Sequence, residues 1–347
     1  MIRLFFAIAL ALLGAVTTAS AADTQTALAL RVINTYVIPR YADFDKATAR
    51  QHDAWAKFCK ARPAGDKAKL IAAFNDTMDA WEAIEHVRTG PVSLFLRAES
   101  IDYWPEVRNA TAKGLSALLA GTDPHDLDPD VLAQGSVAAQ GLPALERLLF
   151  SDVDVAAPRA CDVGQAIALN LSNLSNDVLS NWTAADGPRD ALADGKAVNG
   201  GFADGAEASR LLLTDLMTSF QRMLDLKLLA VRGDSIDAAK PKAAENWRSG
   251  RSARNLKINL DNTQAMIDVF AGDLDPAVLT DLKTAMMNAR DAFAALPDDI
   301  GSAATDETGH GQLDAAITAL KAARDTARAT LPAKLNITLG FNALDGD

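Results

Sequence analysis

Residues 208–230 read ASRLLLTDLMTSFQRMLDLKLLA, and their spacing decides the fold class. Leu212, Leu216, Phe220, Met223 and Leu224 recur three and four positions apart, so a helix gathers them on one face. Gly233 follows as a stop signal. Nearer the C-terminus, Leu313, Ile317, Leu320, Ala323 and Ala327 run along one side of a segment that Pro332 is expected to end. Between these stretches alanine and leucine are abundant, and aromatic residues make up only 6% of the chain. Apolar and polar residues nowhere alternate for long, so the composition argues for helices and against sheets. The breakers divide the chain into expected helices at about 26–60, 67–88, 104–120, 130–150, 160–184, 205–231, 252–272, 276–296 and 309–331. Long helices with short connections pack as bundles. The expected fold is therefore all-α, as two packed helical bundles over 23–155 and 156–347 with a seam within 151–159. One larger helical array is the alternative.

The N-terminus points to export. Arg3 precedes the uncharged run LFFAIALALLGAV at 4–16, and Ala19-Ser20-Ala21 offers a small-residue cleavage pattern. The run is shorter than the roughly 20 apolar residues of a membrane-spanning helix. Residues 1–22 are thus read as a signal peptide, with delivery to the periplasm and no transmembrane segment after cleavage; a buried N-terminal helix is the competing reading. Only Arg3 of the 34 basic residues lies in that segment, so the remainder carries 33 basic against 45 acidic residues and a net charge of −12. Such a surface repels phosphate backbones, which makes nucleic acid a poor partner and cations permissible ones. Cys59 and Cys161 are the only cysteines. In an oxidising compartment they either form a disulfide across a long loop or stand as two buried thiols.

Four segments carry the candidate chemistry. In Trp81-Glu82-Ala83-Ile84-Glu85-His86-Val87-Arg88, a helix would bring Glu82, Glu85 and His86 to one face, a plausible ligand set for iron. A solvated helix end explains the same residues, with His86 and Arg88 at the C-terminal dipole. In Asp102-Tyr103-Trp104-Pro105-Glu106-Val107-Arg108, Asp102 is expected to cap a helix that Pro105 starts, leaving Trp104 and Arg108 open to binding. In Gly141-Leu142-Pro143-Ala144-Leu145-Glu146, Glu146 is an acid in an apolar run, and burial would require a partner, a proton or a cation. In Glu245-Asn246-Trp247-Arg248-Ser249-Gly250-Arg251-Ser252, either serine is placed to cap the next helix. Arg248, Arg251 and Arg254 can meet carboxylates of the first half. His52, His125 and His310 each read as surface residues. Phosphate loops, dinucleotide fingerprints and serine nucleophile elbows are missing from the sequence.

Taken in order, these segments resemble the imelysin family of exported bacterial proteins. The likeness rests on Tyr36-x-x-Pro39, Trp81…His86-x-Arg88-x-Gly90-Pro91, Asp102-x-Trp104-Pro105, and Gly141 to Glu146 followed by Leu148-Leu149-Phe150. It extends to the Cys161 helix ending at Asn181-Trp182, and to Leu339 through Asp347. The resemblance implies two four-helix bundles and a role in iron acquisition at the cell envelope. The family is also classed with metallopeptidases through a Gly-x-His-x-x-Glu motif. Here Pro143 stands in the histidine position, and its ring nitrogen cannot donate to a metal.

The reading is a periplasmic iron-acquisition protein that binds a metal ion or an iron-bearing ligand without catalysis. Glu82, Glu85, His86, Asp102 and Glu146 are the expected ligands. Trp81, Arg88, Trp104, Arg108, Gly141, Trp247, Arg248 and Arg251 are expected to shape the pocket. The alternatives are a metallopeptidase and a docking module that contacts a cell-envelope protein without metal.

Overall fold

The computed structural model describes residues 21–62 and 64–340. Residues 1–20 of the signal-peptide reading and the closing segment from Phe341 onward lie outside the described residues. Ten α-helices of eight or more residues are found among those described: α1 (Ala21–Val32), α2 (Ile38–Ala61), α3 (Lys67–Glu82), α4 (Ala110–Ala120), α5 (Leu142–Leu149), α6 (Pro158–Thr183), α7 (Gly205–Gln221), α8 (Ser252–Phe270), α9 (Thr280–Ala294) and α10 (Glu307–Leu335). No strand occurs among the described residues, and the fold is the all-α class expected.

Two groups of four helices carry the core. Helix α2 packs along α3 and α6, and α5 closes that group against α3 and α6. In the second group α7 packs on α8 and α10, and α9 lies between α8 and α10. Helix α1 runs along α7 of the second group, whereas α6, beyond residue 155, packs along α2 of the first. The groups meet where α3 touches α8. Leu212, Leu216, Phe220, Met223 and Leu224 are all buried, so the apolar stripe of residues 208–230 is indeed the core face of its helix. No described helix is long and apolar enough to cross a membrane. Cys59 at the end of α2 and Cys161 at the start of α6 are joined by a disulfide, with their Cα atoms 5.7 Å apart.

Two π-helical segments interrupt otherwise continuous helices. Ile33–Val37 joins α1 to α2, and Arg222–Leu229 extends α7 towards Gly233. A π-turn widens the helix and rotates the side chains that follow, and such turns recur at functional sites.

Several local expectations change. The helix expected over 104–120 begins only at Ala110, because Arg108 and Asn109 adopt left-handed backbone conformations that a helix excludes. Asp102 therefore caps no helix started by Pro105. The helix expected over 130–150 breaks into Pro129–Ala133 and α5, with an extended Gly141 entering the latter. Pro332 does not end its helix: α10 runs on to Leu335 and stops where Asn336 turns left-handed. His310 is buried beside Asp314, Nδ1 lying 3.6 Å from Oδ2, rather than at the surface. Neither Ser249 nor Ser252 caps α8, since their hydroxyls donate to Glu146 and to the Glu245 carbonyl instead.

Candidate functional site

Helix α3 ends at Glu82, and a hydrogen-bonded turn carries the chain through Glu85 and His86. Both glutamates point into the junction between the two groups, where they meet Glu245 from the loop before α8. These three are the one set of acidic, histidine or cysteine ligand atoms that converges tightly among the described residues. His86, Asp102 and Glu146 are outside it, so the five expected ligands do not share one centre.

The centre of the trio is already filled. Lys227, fully buried in the second π segment, places Nζ 2.7 Å from Glu82 Oε2, 2.6 Å from Glu85 Oε1, 2.7 Å from Glu245 Oε2 and 2.8 Å from Asn259 Oδ1. Arg222, one π-turn earlier, pairs with the other Glu85 oxygen at 2.9 Å. Asn259 Nδ2 donates to Glu82 Oε2 at 2.9 Å, and Asn255 Nδ2 donates to Glu245 Oε2 at 2.9 Å. Glu82 Oε1 and Glu245 Oε1 are buried without a hydrogen-bond partner.

Burial drives the electrostatics. Burial alone raises the Glu85 carboxyl, but Lys227 and Arg222 outweigh it and hold it below the ordinary range. Glu82 goes the other way: burial raises it, Glu245 adds to the rise, and Lys227 only partly opposes. For Lys227, burial favours loss of the proton, yet Glu245, Glu82 and Glu85 together hold the ammonium charged.

His86 faces a different partner. Its Nε2 is 3.2 Å from the Tyr36 hydroxyl, which also lies 3.0 Å from the Ala83 and Asn262 carbonyl oxygens. Carbonyls only accept, so the hydroxyl proton goes to one of them and Nε2–H is assigned as the donor to the tyrosine oxygen. Burial lowers the imidazole to about 4, which keeps it neutral. Arg88 donates from Nε to the Glu85 carbonyl at 2.7 Å and lies 5.5 Å from the Trp81 ring. Trp81 Nε1 donates to Asp102 Oδ2 at 3.0 Å, and burial raises that carboxyl to about 7, with Glu245 adding to the rise.

Beside this cluster opens a cavity of about 380 Å³, lined in part by Asp102, Trp104, Glu146, Arg147, Trp247 and Arg248. Trp104 separates it from the cluster, its ring centroid 5.8 Å from Lys227 Nζ. Glu146 accepts from the Ser249 backbone at 3.0 Å and from its hydroxyl at 2.7 Å. Its carboxyl is raised by burial, against those hydrogen bonds. Arg147 pairs with Glu106 at 2.9 Å. The Arg248 and Lys242 cations lie over the Trp247 ring, at 4.3 and 5.4 Å from its centroid.

The remaining expected residues scatter. Arg108 is exposed and lines neither feature. Arg251 is buried at the junction, pairing with Asp79 and donating to Asn75 Oδ1 at 2.8 Å. Arg254 joins the same aspartate, so two of the three arginines do engage the first half. Gly141 works through its backbone: a Cβ there would lie 2.1 Å from the Ile101 carbonyl oxygen.

Local spacing singles out neither Lys227, Arg222 nor Asn259, and it assigns Glu245 no ligand role. A signal existed for the lysine. Position 227 lies seven after Phe220 and four after Met223, which is the apolar stripe itself, and a lone ammonium on a core face demands buried carboxylates.

A resident metal does not fit this site as it is built. The carboxylate trio encloses an ammonium where an ion would sit, and Pro143 replaces the one imidazole that the Gly-x-His-x-x-Glu motif supplies.

Comparison with known proteins gives a consistent picture. A family model described as Imelysin matches residues 37–327. No curated protein matches the chain. Among solved structures, an imelysin-like protein from Psychrobacter arcticum 273-4 is 21% identical with a TM-score of 0.76, covering 93% of this chain and 99% of that one. A "putative iron-regulated protein A precursor" from Parabacteroides distasonis ATCC 8503 is 17% identical with a TM-score of 0.67, covering 91% and 97%.

Proposed function

The chain belongs to the imelysin family, and from that premise we propose that it is an exported, periplasmic binding protein of iron acquisition that acts without catalysis. Its iron arrives already wrapped in an anionic organic ligand, and the cavity beside Glu146 receives it. The observation that carries this reading is the contrast between two neighbouring features. The carboxylate trio that would suit a bare ion is satisfied by Lys227. The cavity instead turns two cations, Arg248 and Lys242, towards an indole rather than a carboxylate.

A space of about 380 Å³ falls within the range of small-molecule sites. Indole faces and cations together suit a flat, negatively charged ligand. The iron link is supported by the name of the Parabacteroides neighbour, and export by the leader-like residues 1–22. Absence of catalysis is supported by Pro143, because a zinc peptidase needs about three protein ligands and an activated water.

Tryptophan fluorescence of the purified full chain, titrated with ferric citrate and separately with ferrous ion, tests the reading. The chelate should quench saturably, and Arg248→Ala should weaken it about ten-fold, equivalent to about 1.4 kcal/mol. Bare ferrous ion should give no saturable response. Tight binding of the bare ion that Glu146→Ala removes, together with indifference to the chelate, would overturn it.

A further inference from the structure

We propose that the Lys227 ammonium is a built-in replacement for a metal ion, and that removing it converts Glu82, Glu85, Glu245 and Asn259 into a calcium-type cation site. This goes beyond the cavity reading and does not depend on it: failure of chelate binding leaves it untouched.

The geometry is that of a coordination shell around a nitrogen. Four oxygens, from the end of α3, the turn after it, the loop before α8 and α8 itself, stand 2.6–2.8 Å from the Nζ atom of the fully buried Lys227. An ammonium offers three donors, yet four acceptors surround it, more than hydrogen bonding to a lysine requires. Two further carboxylate oxygens, Glu82 Oε1 and Glu245 Oε1, are buried without partners. An all-oxygen set of this kind is what hard divalent cations take.

Charge points the same way. In the native cluster three carboxylates face two cations, Lys227 and Arg222. Loss of the lysine charge leaves three carboxyl groups against Arg222 alone, a shortage of cationic charge that a divalent ion can relieve. The shell should survive the loss, because each carboxylate keeps a second holder. Arg222 holds Glu85, Asn259 holds Glu82, and Asn255 holds Glu245.

Size selects the ion. Calcium accepts oxygens at about 2.3–2.6 Å, whereas magnesium demands about 2.0–2.1 Å. A shell spaced for an ammonium therefore needs only slight contraction for calcium, and a larger collapse for magnesium.

The experiment is thermal melting and calorimetry of the full chain and of Lys227→Ala with calcium or magnesium chloride. The native chain should show no calcium binding that depends on Glu245. Lys227→Ala should melt about 5–10 °C lower, recover most of that loss in millimolar calcium with one ion bound per chain, and recover less in magnesium. Adding Glu245→Gln to Lys227→Ala should abolish the recovery. Should Lys227→Ala not fold on expression, refolding from urea is read instead: folding only with calcium supports the assignment. Folding in neither condition overturns it, as does a stable variant that takes up no cation. Calcium bound by the native chain and lost in Glu245→Gln overturns it equally, since the lysine would then occupy no ion's place.

Discussion

Asp215 lies buried in α7 and accepts from the Arg88 and Thr89 backbone N–H groups at 3.2 and 3.1 Å. Burial nevertheless raises its carboxyl from 3.8 to about 7. The folded state thus holds a proton that the unfolded chain releases near pH 4. Stability from this group is complete below that pH and falls as pH rises towards 7. Asn cannot titrate but keeps an acceptor for both N–H groups. Asp215→Asn should therefore flatten the decline in urea midpoint between pH 4.5 and 7, by about 2–4 kcal/mol across the window. A slope identical to that of the native chain would refute the assignment. His86 has the opposite sign: its imidazole is lowered from 6.5 to about 4, so its contribution is present above pH 6.5 and lost as pH falls through 4. His86→Gln should protect against acid unfolding near pH 4, measured by circular dichroism. Both residues were visible as side chains in the sequence, but their surroundings were not. The sign of a pKa shift depends on burial and on neighbours far along the chain.

The π segments are the decisive elements for the site. Arg222 and Lys227 sit in the same widened stretch, and Tyr36 sits in the other. Nothing in the spacing of residues 208–230 marks the change of pitch, since the apolar stripe reads as an ordinary helix through Leu224. Its core role is testable: Leu216→Ala should cost about 2–5 kcal/mol in chemical denaturation, because Leu216 is wholly buried. Gly141 governs another element. Its backbone approaches Ser100 and Ile101 so closely that an added Cβ meets two carbonyl oxygens, at 2.3 and 2.1 Å. Gly141→Ala should therefore displace α5, carrying Glu146 with it. Expected are a loss of about 2–3 kcal/mol and weakened ligand response in the cavity; an unchanged midpoint would show that the contact relaxes freely. The turn after Gly141 was readable from Pro143, which suits the first turn of a helix. The close approach was not, because it involves a segment some forty residues away.

Across the molecule, the Cys59–Cys161 bond ties α2 to α6, two neighbours in the first group, over a separation of 102 residues. Closing so long a loop restricts the unfolded chain, by about 4–5 kcal/mol in the chain-entropy account. Reduction, or the double change Cys59→Ser and Cys161→Ser, should lower the melting temperature without altering helical content. A midpoint insensitive to reductant would show that the bond adds nothing to α2–α6 packing. The chain also returns on itself at this scale. Helix α1 joins the second group and α6 the first, so no single cut in the expected seam at 151–159 leaves each group with its own helices.

The sequence by itself determined that this protein is helical, because a repeat of three and four along residues 208–230 can bury its leucines only as a helix. The order of its motifs, from Tyr36-x-x-Pro39 to Gly141 through Glu146, carried the family. Tertiary structure alone decided which charges meet. Glu82 and Glu85 are separated from Lys227 by more than 140 positions, and local spacing carries no information about such pairs. Only the packing of the second π segment against the end of α3 brings an ammonium to the place where acids alone suggested a metal.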